Sequence, residues 1–260
     1  IHVWLVLIDL LIVAGFFAPG GITRPEMASA VASSELSLKH FSPEMILNAP
    51  YHILQKISFY LFGVSNISIK LPSLLIGLAS AAGIILLVRS WFKPNVAVLT
   101  TLLVVATGQF LVVAQTGTPQ VLYLFWAIWL LLAATMISRS DTSSLFAWKI
   151  GFFSLIALSL YTPLSMYIIF ALVGAGLLHP HLRHTIKKLS GSKLFFASMI
   201  GFVIVSPIIY AVFQEPSVGL SLLGIPSQLP AIVPNLQLLF SEFFNFAHPT
   251  NGIMMTPIYG

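Results

Sequence analysis

The chain has 260 residues, of which 58% are hydrophobic and only 7% are charged, and it contains no cysteine. Its mean hydropathy is +0.98. Soluble domains carry about 25% charged residues, so a soluble globular protein is excluded, and the lack of cysteine excludes disulfides and thiolate metal sites. The formal charge of +5 does not indicate nucleic-acid binding, because the basic residues lie beside apolar segments, as the positive-inside rule of membrane proteins requires.

Apolar segments close to the length that crosses a bilayer recur along the chain. They predict an all-α fold, a polytopic transmembrane bundle. The segment from Phe146 to Leu178 is divided in two, because Pro163 breaks helical hydrogen bonding and restricts the residue before it. The predicted spans are Ile1–Phe17, Ile69–Val88, Val96–Ala114, Val121–Ile137, Phe146–Leu160, Pro163–Leu178 and Leu194–Phe213.

Charge predicts the orientation of these spans, since Lys and Arg concentrate on the cytoplasmic side. The basic residues assigned to that side are Arg89, Lys93, Arg139, Lys149, Arg183, Lys187, Lys188 and Lys193. The acidic residues assigned to the other side are Glu26, Glu35, Glu44, Glu215 and Glu242. We therefore predict a multi-pass plasma-membrane protein with a cytoplasmic N-terminus and two outer loops, at about residues 18–68 and 214–252.

The ends of the sequence suggest a larger whole. Ile1 already lies within an apolar run, and a further span is expected from about Ile253. Residues 1–260 are therefore interpreted as the N-terminal part of one transmembrane domain whose C-terminal part is missing.

The first outer loop is predicted to contain two short helices along the membrane surface. Pro25 and Glu26 are typical of a helix start, ahead of the mildly amphipathic run Met27–Leu38. Tyr51–Phe62 has apolar residues at helical spacing, and Gly63 is expected to end that helix. Pro234–Phe246 predicts a third helix, in the second outer loop.

Several motifs follow one another in a fixed order. The first span ends at Pro19-Gly20-Gly21, ahead of Arg24-Pro25-Glu26. Further motifs are Pro50-Tyr51-x-Ile53-Leu54, Phe59-Tyr60-Leu61-Phe62-Gly63-Val64-Ser65, Ile69-Lys70-Leu71-Pro72-Ser73, Arg89-Ser90-Trp91-Phe92 and Gln115-Thr116-Gly117-Thr118-Pro119-Gln120. The series resembles the membrane glycosyltransferases of the GT-C class, particularly the bacterial branch related to protein O-mannosyltransferases and lipid A aminoarabinose transferases. The resemblance covers about residues 1–180 and is strongest over 50–92.

The resemblance implies an enzyme that moves a sugar from a polyprenyl-phosphate donor to an acceptor at the extracytoplasmic membrane face, without a cofactor. The implied partners are the lipid-linked donor, a lipid, glycan or protein acceptor, and membrane lipids, but no nucleic acid. In this family an acidic residue at the start of the first outer loop is the catalytic base, and its position matches Glu26. The chain departs from the family pattern at Gln120, where a second acidic residue is common, and at Asn48-Ala49-Pro50, which replaces a His-Pro-Pro or Lys-Pro motif.

Glu26 also has a chemical rationale as general base, because an acceptor hydroxyl must lose a proton as it attacks the anomeric carbon. Capping of a helix is the alternative role. The cations Arg24 and Lys70 could stabilise a phosphate leaving group, or they could extend to lipid headgroups. His52 and Lys56, one helical turn apart, are weaker candidates for the same phosphate.

Gln115 and Gln120 flank a predicted turn, where they could hydrogen-bond sugar hydroxyls or cap the turn. No metal is predicted, since Asp-x-Asp is absent and the cluster His179, His181 and His184 lacks a carboxylate or cysteine. Asp9, within the first span, is interpreted as a helix-packing residue. A transporter or flippase-like carrier, and a catalytically silent GT-C relative, remain alternative functions.

Overall fold

The computed structural model describes residues 2–17, 21–36, 42–139, 145–178, 191–225, 233–234 and 236–237. Within these residues the secondary structure is helical, and no strand occurs. A 3-10 turn, Pro43–Ile46, precedes α3. The α-helices are α1 (His2–Phe17), α2 (Arg24–Glu35), α3 (Ala49–Phe62), α4 (Asn66–Arg89), α5 (Pro94–Val105), α6 (Gly108–Gln115), α7 (Val121–Arg139), α8 (Leu145–Ser159), α9 (Ser165–Leu178), α10 (Gly191–Gln214) and α11 (Pro216–Leu223).

The all-α class and the membrane character of the chain are confirmed. Among the described residues three helices are long and apolar enough to cross a bilayer, within α4, α7 and α10. Apolar helices of 10–17 residues also occur within α1, α8 and α9. Each predicted span therefore corresponds to apolar helix, although α1, α8 and α9 are short for a bilayer of about 30 Å.

The predicted span Val96–Ala114 is wrong as a single helix. It is broken into α5 and α6, whose axes differ by 74°, and the pair counts as a fourth candidate span only if the two are taken together. The Thr107 hydroxyl caps α6 by accepting the Phe110 N–H at 3.4 Å. A local cap of this kind restarts a helix in a new direction, and mean hydropathy does not reveal it.

The division of the segment 146–178 is confirmed, because α8 ends at Ser159 and α9 begins at Ser165. The turn between them is fixed by hydrogen bonds to two other helices. The indole of Trp126 donates to the Thr162 hydroxyl at 2.9 Å, and the Tyr161 hydroxyl donates to the Ile204 carbonyl at 2.7 Å. This turn therefore joins α7 and α10.

The helices α1, α4 and α6 pack closely. Gly77 of α4 lies so near α6 that a Cβ atom there would be 2.7 Å from the Cβ of Ala114. Gly77, Ser80 and Ala81 are all buried. Small residues let membrane helices approach in this way, so these three serve the packing of the bundle.

The two helices predicted in the first loop are α2 and α3, and α3 is polar inside and apolar outside. Its buried face carries Tyr51, His52, Gln55 and Ser58. The opposite face exposes its apolar side chains: Ile53, Leu54, Ile57, Tyr60, Leu61 and Phe62. Such a helix is stable where its outer face meets lipid. It ends as predicted at Gly63, which has a φ of 70° that glycine adopts without strain.

The loop after α10 holds a helix that the sequence analysis missed, α11. It begins with Pro216 in its first turn and ends at Gly224, which has a φ of 71°. The helix predicted at Pro234–Phe246 lies mostly outside the described residues.

Candidate active site

The site is centred on Glu26, in the first turn of α2. The Thr23 hydroxyl accepts the Glu26 N–H at 3.4 Å. The Glu26 carboxylate in turn accepts the Thr23 N–H and the Thr23 hydroxyl, both at 2.8 Å to Oε2. This is a capping box, which satisfies the free N–H groups at the start of a helix. Glu26 therefore caps α2, which is one of the two roles, general base and helix cap, that the sequence analysis considered.

Capping does not account for the other carboxylate oxygen. Oε1 accepts the backbone N–H of Gly117 at 2.9 Å, across 91 residues of sequence. The ammonium Nζ of Lys70 lies 3.7 Å from the same oxygen. Three separate segments thus meet at one carboxylate: the start of α2, the start of α4 and the turn between α6 and α7.

The turn at Gly117 reaches the carboxylate only because it carries no side chain. A Cβ atom on Gly117 would be 2.7 Å from Cγ2 of Ile69 and 2.9 Å from the Ile69 carbonyl oxygen. Ile69 precedes Lys70 in α4. The glycine therefore brings its N–H beside the lysine that shares the same carboxylate.

The surroundings keep Glu26 ionised. Burial alone would raise its pKa, since only 1% of the residue is exposed. Hydrogen bonds from Gly117 and Thr23, together with the charge of Lys70, outweigh that effect and lower the pKa below the usual 4.5. A buried carboxylate that stays charged at neutral pH is able to accept a proton.

A second set of polar contacts supports the turn behind Gly117. The hydroxyls of Tyr51 and Ser73 lie 2.8 Å apart, and Ser73 donates to the Thr118 carbonyl at 3.3 Å. The Thr118 hydroxyl is buried and, within the described part of the chain, has no hydrogen-bond partner. The turn is thus tied through α4 to α3.

His52 is not placed beside the carboxylate. It lies on the buried face of α3, with Nδ1 2.8 Å from the Ser33 hydroxyl of α2. Burial lowers the pKa of His52 to about 4, so the ring is neutral at physiological pH. In this conformation it offers no positive charge to a phosphate, and phosphate binding by His52 stays a prediction.

The remaining predicted residues are spread around the centre. Arg24 is exposed at the first position of α2. Lys56 donates to the carbonyls of Ser34, at 3.4 Å, and Leu36, at the far end of α2. Gln115 holds α1 by donating to the Leu11 carbonyl at 3.0 Å.

Gln120, at the position where the family commonly has a second acidic residue, is exposed just before α7. The structure therefore brings together Glu26 and Lys70, with Arg24 two residues away in sequence. Among the described residues no group of three His, Asp or Glu side chains could hold a metal ion. The predicted histidine cluster at 179–184 lies outside them.

Sequence reasoning missed Thr23, Gly117 and Gln55. Thr23 carried a usable signal, because Thr-x-x-Glu before a helix is the pattern of a capping box. Gly117 stood within a recognised motif, but no local pattern connects it to Glu26. Gln55 lies between Leu54 and Lys56, and no local pattern marks it as buried.

A helical membrane protein with a charged, buried carboxylate at the start of a loop helix resembles the GT-C class of membrane glycosyltransferases. Comparison with protein-family models assigns the chain to a family. Residues 50–210 match the model described as dolichyl-phosphate-mannose-protein mannosyltransferase, and the chain belongs to that family. The match includes Lys70 and Gly117 but begins after Glu26. Neither the curated proteins nor the solved structures provide a match.

Proposed function

We propose that this protein transfers a sugar from a polyprenyl-phosphate donor to an acceptor hydroxyl at the extracytoplasmic face of the plasma membrane. The observation that carries the proposal is the close pair of buried Glu26 and partly exposed Lys70, 3.7 Å apart. It supplies a base and a cation side by side, and the transfer needs both. The distribution of Lys and Arg supports the extracytoplasmic location.

In the proposed reaction the acceptor oxygen attacks the anomeric carbon from the face opposite the phosphate. The bond between that carbon and the phosphate oxygen breaks, and its electron pair leaves on the phosphate. The proton of the acceptor hydroxyl passes to Glu26. Because the leaving phosphate is a weak base, it needs no proton from a general acid. Attack from the opposite face inverts the anomeric configuration.

The hydrogen bonds of Glu26 indicate where the acceptor would enter. Oε2 is occupied by the Thr23 N–H and hydroxyl. Oε1 holds the Gly117 N–H at 2.9 Å, while Lys70, at 3.7 Å, is beyond hydrogen-bond distance. Among the described contacts Oε1 therefore accepts one hydrogen bond and can accept a second, and a hydroxyl that donates to it would lie near the Lys70 ammonium.

Lys70 is the proposed partner of the donor phosphate. Its side chain retains 18% exposure, whereas that of Glu26 retains 2%. An ammonium group near the developing phosphate charge stabilises the transition state. Arg24, exposed and near in sequence, is the second proposed phosphate ligand.

The test uses the full-length protein in membranes with radiolabelled polyprenyl-phosphate mannose, and with the corresponding glucose and aminoarabinose donors. We expect label to leave one of these lipids with wild type, and Glu26→Gln to slow that release by about 10²- to 10⁴-fold, the usual contribution of a general base. Glu35→Gln is the matched control, since Glu35 is an exposed carboxylate in the last turn of the same helix. An active Glu26→Gln enzyme would overturn the role of the base. No release from any of these donors by folded wild type would favour a silent relative or a carrier.

A further inference from the structure

The buried stripe of α2 contains no apolar anchor. Its buried residues are Glu26, Ser29 and Ser33. Spacings of three and seven residues place all three on one face of a helix. The larger apolar residues of the helix, Met27 and Val31, are 58% and 49% exposed. Polar contacts therefore decide where α2 sits, and with it the Glu26 carboxylate.

The two serines of this face hydrogen-bond to Gln55 of α3. The residue is fully buried, at 0% exposure. Its Oε1 accepts the hydroxyls of Ser29, at 3.0 Å, and Ser33, at 2.6 Å. Its Nε2 donates to the Ile69 carbonyl of α4 at 2.9 Å. One side chain thus connects the helix of Glu26 to the residue that precedes Lys70.

The polar atoms around Gln55 form a consistent chain of donors and acceptors. When Ser33 gives its only hydroxyl proton to Gln55, the Ser33 oxygen is free to accept from His52. The Nδ1 atom of His52, 2.8 Å away, then carries the proton. The neutral ring of His52 fits this assignment. The Ser33 hydroxyl also lies 2.9 Å from the Ser29 carbonyl, which competes with Gln55 for the same proton.

A second bridge runs one helical turn away. Tyr51 is four residues before Gln55, and Ser73 is four residues after Ile69, so the two bridges lie side by side between α3 and α4. The second bridge continues from Ser73 to the carbonyl of Thr118. Helix α3 therefore fastens both the helix of Glu26 and the turn of Gly117 onto α4.

We propose that Gln55 is a positioning residue, which sets the separation between the Glu26 carboxylate and the Lys70 ammonium by holding α2 against the start of α4. This role rests on the proposed function of the Glu26–Lys70 pair. Gln55 touches neither of the two charged groups in the described contacts. It acts through Ser29 and Ser33 on one side and Ile69 on the other.

The activity test replaces Gln55 by Leu, which is close in size and makes no hydrogen bond. We expect kcat for sugar release from the polyprenyl-phosphate donor to fall at least tenfold, with KM for the donor changed less than threefold, because the geometry of the reacting groups is altered. Ser33→Ala should lower kcat in the same direction. The matched controls are Gln109→Leu, at an exposed position of α6, and Ser34→Ala, whose hydroxyl bonds only the Val31 carbonyl of its own helix. Both controls should retain wild-type kcat.

A distance measurement separates positioning from loss of fold, and it needs no activity. The 260 residues contain no cysteine, so Met27→Cys and Asn66→Cys, at exposed positions of α2 and α4, can be spin-labelled in a full-length protein whose cysteines elsewhere, where present, are replaced by serine. Gln55→Leu is expected to broaden or shift the distance distribution measured by pulsed electron paramagnetic resonance, and Gln109→Leu is expected to leave it unchanged. An unchanged distribution in a folded Gln55→Leu protein would overturn the positioning role alone. An active Glu26→Gln enzyme would instead overturn the proposed function.

Discussion

The Nζ atom of Lys70 lies 3.7 Å from Oε1 of Glu26, at a place where two helices and a turn converge. Opposite charges at this distance are too far apart for a hydrogen bond but close enough to influence each other's chemistry. Four predictions test the arrangement.

Lys70→Gln should lower kcat/KM for the lipid donor about 10²-fold, as the loss of a transition-state charge contact does elsewhere. The substitution removes the cation but keeps a polar side chain at the start of α4. Release of labelled sugar from the donor measures the effect. Lys93→Gln is the control, because Lys93 is an exposed lysine that precedes α5, and equal losses in the two variants would contradict the assignment.

Gly117→Ala should destabilise the protein by about 1–3 kcal/mol, the usual cost of overpacking. The new methyl group would meet the Ile69 carbonyl oxygen at 2.9 Å, and the displaced turn would withdraw its N–H from Glu26. Thermal unfolding in detergent measures the change. Gly151→Ala in α8 is the matched control, since nothing lies within 4 Å of its new Cβ. A Gly117→Ala protein as stable as this control would contradict the close approach.

Acid should remove the stabilisation that ionised Glu26 provides. The folded-state pKa is below the usual 4.5, so this contribution is fully present above that value and is lost as the pH falls through the lower, folded-state pKa. The difference in stability between wild type and Glu26→Gln should therefore be constant near neutrality and shrink in acid. Melting temperatures of the two proteins across this range provide the measurement, and a difference independent of pH would argue against the lowered pKa.

His52 predicts a separate acid effect, at higher pH. Its pKa falls from 6.5 to about 4 on folding, so the unfolded state takes up a proton first and stability declines as the pH drops from 6.5 towards 4. Each pH unit of this interval is worth up to about 1.4 kcal/mol. His52→Asn should flatten the decline, because an amide can donate to Ser33 without titrating. His2→Asn, at an exposed position of α1, should leave the decline as in wild type.

The sequence predicted the helices better than it predicted their partners. Hydropathy and Pro163 located the turn between α8 and α9, and Gly63 located the end of α3, because these signals are local. The break at Thr107 was not predicted, because the residues on both sides are apolar and a bend leaves mean hydropathy unchanged. Helix α11 was not predicted, because a segment of 8 residues is too short to show a clear helical periodicity of apolar residues.

The site was predicted only in part, for a related physical reason. Glu26 and Lys70 stood out because charges are rare in this chain and both adjoin apolar helices. Their pairing, and the N–H of Gly117, depend on contacts across long stretches of sequence that no local pattern encodes. Gln55 was not predicted because only the packing of α3 shows that the polar face of this helix is the buried one.

The wholly polar stripe beneath α2 has a consequence for motion. Water can replace every hydrogen bond that the Ser29 and Ser33 hydroxyls make to Gln55, and α2 has no fully buried apolar side chain that resists the exchange. Local opening is easiest where few apolar contacts must be broken, so α2 should detach from the bundle at a lower free energy than α4 or α7. Its backbone amides are then expected to exchange hydrogen for deuterium earlier than theirs, and each opening would bring Glu26 into contact with water.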